Sequence, residues 1–444
     1  MATVAKIGFP AGAVRPSAPR IWFTAFALVW AVAFAAGLVG LAQRITEGHR
    51  PADYGTYVTW GLWVAVYQYL VVMAAGAFLI AAAIYLLRLK ALQRVAPAAL
   101  LLGIVSLLAG MILVLLDLGR MERFWRVVLA PDWSSIIAWV VVAYMTFLVV
   151  SAAALWLVLR PALAERSREQ GLRAGVARAL VFGRRDVTAQ ARERDLRTVR
   201  LLMILGIVPA IGFTGGEGAL FGVLGARPFW NSSMFPIAFL AAAVVTAGAA
   251  LTVLTAFFAP GHSGDKHDVV QFLARLTLFA LGVLLVLEFA EYSIGLYASL
   301  PAQEDAYGEI LTGDYWWSFW LIHLVAGAAV PFAILALRGK STAWLGAAAV
   351  LAAAGVFTVR LNAVIPGQVI PQFESLRDAF SDKRLDFQYS PSSMEWLVSL
   401  FVVSLAVLLF YVGYQLLPVS GARPGEQPDI RPGTSGATTL DGGQ

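Results

Sequence analysis

Leu113-Val114-Leu115-Leu116-Asp117-Leu118-Gly119-Arg120-Met121-Glu122-Arg123-Phe124-Trp125 decides how this chain is read. A long apolar run leads into it and meets a carboxylate near its end. If the helical turn continues, Asp117 and Arg120 share a face, three residues apart. A carboxylate within a lipid-embedded helix is costly, which makes Asp117 a functional candidate. The plainer alternative is an acid that closes the helix and pairs with Arg120 at the interface.

The run before Asp117 is one of several. The 444 residues are 59% hydrophobic and 14% charged, with a mean hydropathy of +0.75 and 14 Trp. Stretches longer than a bilayer requires recur along the whole chain, and the alternating pattern of an outer-membrane barrel is absent. The expectation is an all-α polytopic membrane protein of about ten transmembrane helices, over roughly 21–43, 59–88, 95–118, 134–159, 199–223, 235–259, 269–299, 315–337, 343–363 and 394–417. The membrane domain then covers 21–418. A segment over 1–20 precedes it, and a Gly-, Pro- and Ser-rich tail over 419–444 reads as disordered.

Lysine and arginine set the orientation. One set of loops and termini carries about 22 basic residues, against about 10 on the other, and the 160–200 segment dominates with its arginines. That side is expected to be cytoplasmic, with both termini on it, in a bacterial plasma (inner) membrane. The basic excess therefore reports topology and lipid contact, not nucleic acid. The longest loop of the opposite, outer side is 364–393.

The chain has no cysteine and four histidines, His49, His262, His267 and His323, of which His323 alone lies in an apolar run. It cannot hold an iron–sulfur cluster through thiolates, and a bis-histidine haem in the membrane lacks its second ligand. Any redox chemistry here uses an organic carrier or a partner's cofactor.

With each residue placed at about 1.5 Å per residue of helix, the polar intramembrane residues gather at the outer level. They are Trp60, Tyr67 and Gln68; Asp117; Glu217 among Gly215, Gly216 and Gly218; Glu288, Glu291 and Tyr292; His323; Arg360 and Asn362; and Glu395. Such a mixture in the outer third suits a flat, amphipathic ligand that gains and loses protons, and a quinol is one. Structural readings stand beside this one. Trp60 fits an interfacial belt, His323 a hydrogen-bonded core histidine, and Glu288 with Glu291 a neutral structural pair.

Several stretches, in this order, resemble the NrfD/PsrC family of membrane subunits. They are Thr59-Trp60-Gly61-Leu62-Trp63 through Gly76-Ala77, Leu116-Asp117-Leu118-Gly119-Arg120, and Gly218-Ala219-Leu220-Phe221-Gly222 with Ala226-Arg227-Pro228-Phe229-Trp230. Glu291 with Tyr297, Arg360-Leu361-Asn362 with Gly367-Gln368, and Tyr389-Ser390-Pro391-Ser392 with Glu395 complete them. Ten helices resemble the longer, hydrogenase- and Dsr-type subgroup. The resemblance implies two four-helix bundles plus two extra helices. It also implies a quinone (menaquinone or ubiquinone) bound near the outer face beside an iron–sulfur subunit, with further catalytic or cytochrome subunits. Asp117 and Arg120 are assigned to the site, lined by helix 2 aromatics. Relatives often carry a histidine where this chain has Phe213-Thr214; if that histidine handles quinol protons there, either Glu217 or His323 takes its place here or the site is altered. The resulting expectation is a quinone-interacting subunit of a respiratory oxidoreductase, with Asp117, Glu217, Glu291 and His323 handling protons and Trp60, Tyr67, Gln68, Arg120 and Arg360 holding the ligand. The rivals are a proton-translocating module and a structural anchor without its own site.

Overall fold

The protein is described by a computed structural model covering residues 20–259, 263–298, 300–377 and 379–419. The segment before Arg20 and the expected disordered tail from Ser420 onward lie outside the described residues. Among the described residues there are ten helices long and apolar enough to cross a membrane and no β-strand. They are α1 (Phe23–Glu47), α2 (Leu62–Leu86), α3 (Ala96–Asp117), α4 (Ile136–Arg166), α5 (Ala189–Gly222), α6 (Met234–Phe258), α7 (Lys266–Tyr297), α8 (Ser318–Arg338), α9 (Thr342–Val369) and α10 (Ser393–Leu416).

The expected spans hold to within a few residues except at the arginine-rich segment. There α4 runs on to Arg166, α5 begins at Ala189, and a short helix, Leu172–Leu180, lies between. Much of the expected 160–200 loop is therefore helical. The physical reason is local: the segment is rich in Ala, Leu, Arg, Glu and Gln, all good helix formers. Thr188 caps the start of α5 by accepting from the Ala191 N–H at 3.3 Å. Arg160, buried near the end of α4, ties the two helices together by donating through Nε to Asp195 at 2.6 Å and through Nη1 to the Asp186 carbonyl at 2.6 Å. This side is the basic end of the molecule; the opposite side is its distal end.

Helices α2 to α5 pack around one another, and α6 to α9 form a second group of four. The groups meet mainly along α2 and α6. Lipid tails are as apolar as the side chains, so close backbone approach rather than water exclusion holds helices together here. At Gly76 a Cβ would overlap the Ala243 carbonyl oxygen, so α2 and α6 touch backbone to backbone. Outside the groups, α1 lies along α10, where Gly37 and Gly40 fit against Phe401 and Leu397, and α10 rests on α3. The extra helices are thus α1 and α10, both on the flank of the first group.

Candidate functional site

The sequence expectation joins Asp117 to Arg120 along a continuing helix. The structure ends α3 at Asp117 instead: Leu118 is extended (φ −65°, ψ 132°), and Arg120 is exposed past the helix end. The α3 terminus is closed by Arg44 from the last turn of α1. Its buried guanidinium donates through Nε to the Leu116 carbonyl at 2.7 Å and through Nη2 to the Leu118 carbonyl at 2.8 Å. A cation on the last carbonyls satisfies acceptors that the helix cannot pair and complements its dipole.

From Arg44 a line of polar groups leads back to Asp117. Arg44 Nη2 lies 2.6 Å from His49 Nε2, His49 Nδ1 lies 2.7 Å from the Tyr54 hydroxyl, and Tyr54 donates to Asp117 Oδ1 at 3.0 Å. One assignment of protons satisfies every link. Guanidinium has only donors, so Nε2 accepts; Nδ1 then carries the hydrogen and donates to the Tyr54 oxygen, leaving the Tyr54 O–H for the carboxylate. Burial, and next the charge on Arg44, push the His49 pKa down, which keeps the ring neutral as this assignment requires. Burial, and next the Asp117 charge, push the Tyr54 hydroxyl well up, so it remains a donor. The Trp63 ring packs edge-on against His49 and Tyr54, each at 6.0 Å. Arg44, His49 and Tyr54 are absent from the sequence-derived site. The available signal was an Arg in the last turn of an apolar helix five residues ahead of a His.

The remaining candidates separate into two further groups. Glu217 is 2% exposed between α2, α4 and α5 and accepts hydrogen bonds from the Tyr67 hydroxyl at 2.9 Å and from the Tyr144 hydroxyl. The glycines around it serve close packing: a Cβ at Gly218 would meet Pro236 at 2.6 Å. Gln68, beside Tyr67 on α2, is fully buried. Glu291, His323 and Arg360 line a cavity enclosed by α6 to α9, together with Glu288, Tyr292 and Asn362. The sequence placed all these residues at one depth, and the helix packing sorts them into separate places.

Other residues that carried the resemblance act as clasps at the distal end. Gln368 accepts from the Trp60 N–H at 3.0 Å and donates to the Trp60 carbonyl at 2.8 Å, fixing the start of α2. The Trp60 ring is stacked on Trp230 at 5.4 Å and meets Phe221 edge-on. Glu395 caps α10 and holds the preceding loop, accepting from Tyr389 at 2.6 Å and from the Asp53 N–H at 3.1 Å. Arg227 reaches the carbonyls of Gly367, Ile370 and Tyr57 at 3.1 to 3.4 Å.

The chain resembles known membrane proteins over most of its length. The family model described as polysulphide reductase, NrfD matches residues 51–372. The chain is 32% identical over 406 residues to a selenate reductase subunit of Mesobacillus selenatarsenatis, covering 90% of this chain and 94% of that one. It is 24% identical to the Hdr-like menaquinol oxidoreductase integral membrane subunit of Archaeoglobus fulgidus, over 88% of this chain and 89% of that one. To the menaquinone reductase integral membrane subunit of Nitratidesulfovibrio vulgaris it is 23% identical, over 93% and 94%. With the family model spanning most of the membrane domain and a relative aligned almost end to end, the chain belongs to the NrfD, polysulphide reductase family of membrane proteins.

Proposed function

We propose that this protein is the quinone-interacting integral membrane subunit of a multi-subunit oxidoreductase, and that a quinol or quinone headgroup meets it at Asp117. The observation that carries the reading is the run of donors from Arg44 through His49 and Tyr54 to Asp117 at the distal end. Such a run fixes the orientation of a carboxylate placed to accept a proton. Asp117 is itself only partly buried, and Leu118, Phe124 and Trp125 beside it in sequence are exposed apolar residues suited to a ring that arrives through lipid. Family membership and relatives named for menaquinol and menaquinone support the ligand class, with menaquinone favoured.

A bound quinol supplies two electrons and two protons on oxidation. Asp117 accepts one of these protons from a hydroxyl of the ring, and the other passes to water at the exposed end of α3. Tyr54 and His49 orient that carboxylate, and the proton it takes leaves from Asp117 itself, which is only partly buried. Arg44 keeps His49 in the neutral tautomer that donates toward Tyr54. The chain has no cysteine for a thiolate-held cluster, so the electrons pass to an iron–sulfur subunit docked at the distal end, on the outer face of a bacterial inner membrane. The terminal reductase or cytochrome subunits lie beyond that subunit.

The test is binding of a quinone analogue to the purified complex, followed by fluorescence quenching. Asp117→Asn is expected to weaken binding about 10-fold, the size of a charge-assisted hydrogen bond. Unchanged affinity would move the site elsewhere, and absence of saturable binding in a folded wild-type complex would overturn the quinone reading.

A further inference from the structure

The cavity lined by α6 to α9 lies in the second group of helices, apart from the Asp117 chain, and is partly open at its mouth. Its wall includes Arg360, 1% exposed, whose guanidinium carbon sits 3.8 Å over the Phe239 ring. The Nε and Nη2 of Arg360 have no hydrogen-bond partner. Buried donors of a cation are costly to leave unpaired, so two of them on a cavity wall point to an acceptor brought by a ligand.

The rest of the wall says which acceptor. His323 Nε2 and Glu288 Oε2 are 2.7 Å apart, and Glu291 is held by the Ser232 hydroxyl at 2.7 Å. Two carboxylates beside one guanidinium disfavour a phosphate or carboxylate ligand. They suit a neutral headgroup that accepts from Arg360 at one oxygen and meets the Glu288–His323 pair at the other. Phe235, Phe239, Tyr292 and Phe319 supply flat apolar surfaces for a ring. His323 lies in a stretch, Ser318–Ala329, wound more widely than an α-helix, and such stretches occur mainly at functional sites. At its far end Gly327 meets Gly355 of α9, where a Cβ would lie 2.5 Å from the opposing Cα, so the wide turns are locked against their neighbour.

We infer that this cavity is a second binding site, for a neutral quinone-class headgroup, with Arg360 as the carbonyl-binding residue. The choice of headgroup rests on the quinone reading proposed above; the existence of the site rests on Arg360 and the cavity. The experiment is photolabelling of the whole wild-type complex with an azido-1,4-naphthoquinone, followed by peptide mapping. Labels are expected on residues 284–292 or 319–323 as well as near Asp117. Arg360→Lys, which keeps the charge but not the planar donors, is expected to lower the cavity label about 10-fold and leave the Asp117 label unchanged. Leu284→Trp, which fills the cavity, is expected to abolish the cavity label alone. Wild-type labelling confined to the Asp117 region, or none at all, overturns this inference. Labelling confined to the cavity sustains it and overturns the placement at Asp117.

Discussion

His49 is a titratable member of the proposed site that lies outside the membrane-spanning helices. Burial, followed by the Arg44 charge, lowers its pKa below the ordinary 6.5, so the folded protein prefers the neutral ring. The stabilising effect of that preference is complete above pH 6.5 and is lost as pH falls through the lowered value. Quinone-analogue affinity is expected to stay flat from pH 8 to about 6.5 and to drop below it, as a protonated ring can no longer accept from Arg44. A flat profile in His49→Gln would identify the group; a profile unchanged by that substitution would remove His49 from the chain. Glu217 plays a different part, as a fully buried acceptor for two tyrosine hydroxyls. Tyr144→Phe is expected to destabilise by about 1–3 kcal/mol, the cost of leaving a buried acceptor short of a donor. The check is the thermal unfolding midpoint in detergent. The Asp117 carboxylate was legible in the sequence from its place in an apolar run, whereas its partners were not. They come from another helix and from a loop far upstream, and their side-chain distances exist only after α1 has packed beside α3.

Helix existence was readable from apolar runs long enough to span lipid, since apart from a closed barrel no other backbone arrangement satisfies its hydrogen bonds there. Helix ends were less so. The arginine-rich segment looks like a loop by hydropathy, but its helix-forming residues and the Arg160–Asp195 pair extend α4 and α5 into it. On α2, Gly76 is the position with least room: an added Cβ would overlap the Ala243 carbonyl. Gly76→Leu is therefore expected to separate α2 from α6 and to cost more than about 2 kcal/mol, within the range for overpacking with backbone shifts. Its signature would be loss of the monodisperse peak in size-exclusion chromatography. A variant that stays monodisperse and unfolds at the wild-type temperature would show that α2 and α6 can part without penalty.

The absence of native cysteine makes the membrane orientation directly measurable. Arg168 at the basic end and Asp305 in the helix Pro301–Leu311 are both exposed. On the proposed orientation, a membrane-impermeant maleimide is expected to modify Asp305→Cys in intact cells and to reach Arg168→Cys only after the membrane is opened. The reverse pattern would turn the proposed docking face of the iron–sulfur partner toward the cytoplasm. The proposed docking of a partner there would account for the heavy clasping of the distal end. Gln368, Arg227, Tyr389 and Glu395 bind loop backbone that lacks the ladder partners of a helix interior, and a surface against which a partner docks must hold its shape.

By itself the sequence determined the class of protein, the existence of its ten spans and the common level of Asp117, Glu217, Glu288, Glu291 and Arg360. These depend on composition, on run length and on a fixed rise per residue, all of which are local. Only the tertiary structure decided which residues at that depth meet. Asp117, Glu217 and Arg360 stand on α3, α5 and α9, and nothing in a one-dimensional pattern specifies how those helices are turned about their axes. Rotation follows from backbone contacts such as Gly76 against Ala243 and Gly327 against Gly355. Those contacts divide one level of polar residues into the chain at Asp117, the buried acceptor Glu217 and the cavity at Arg360.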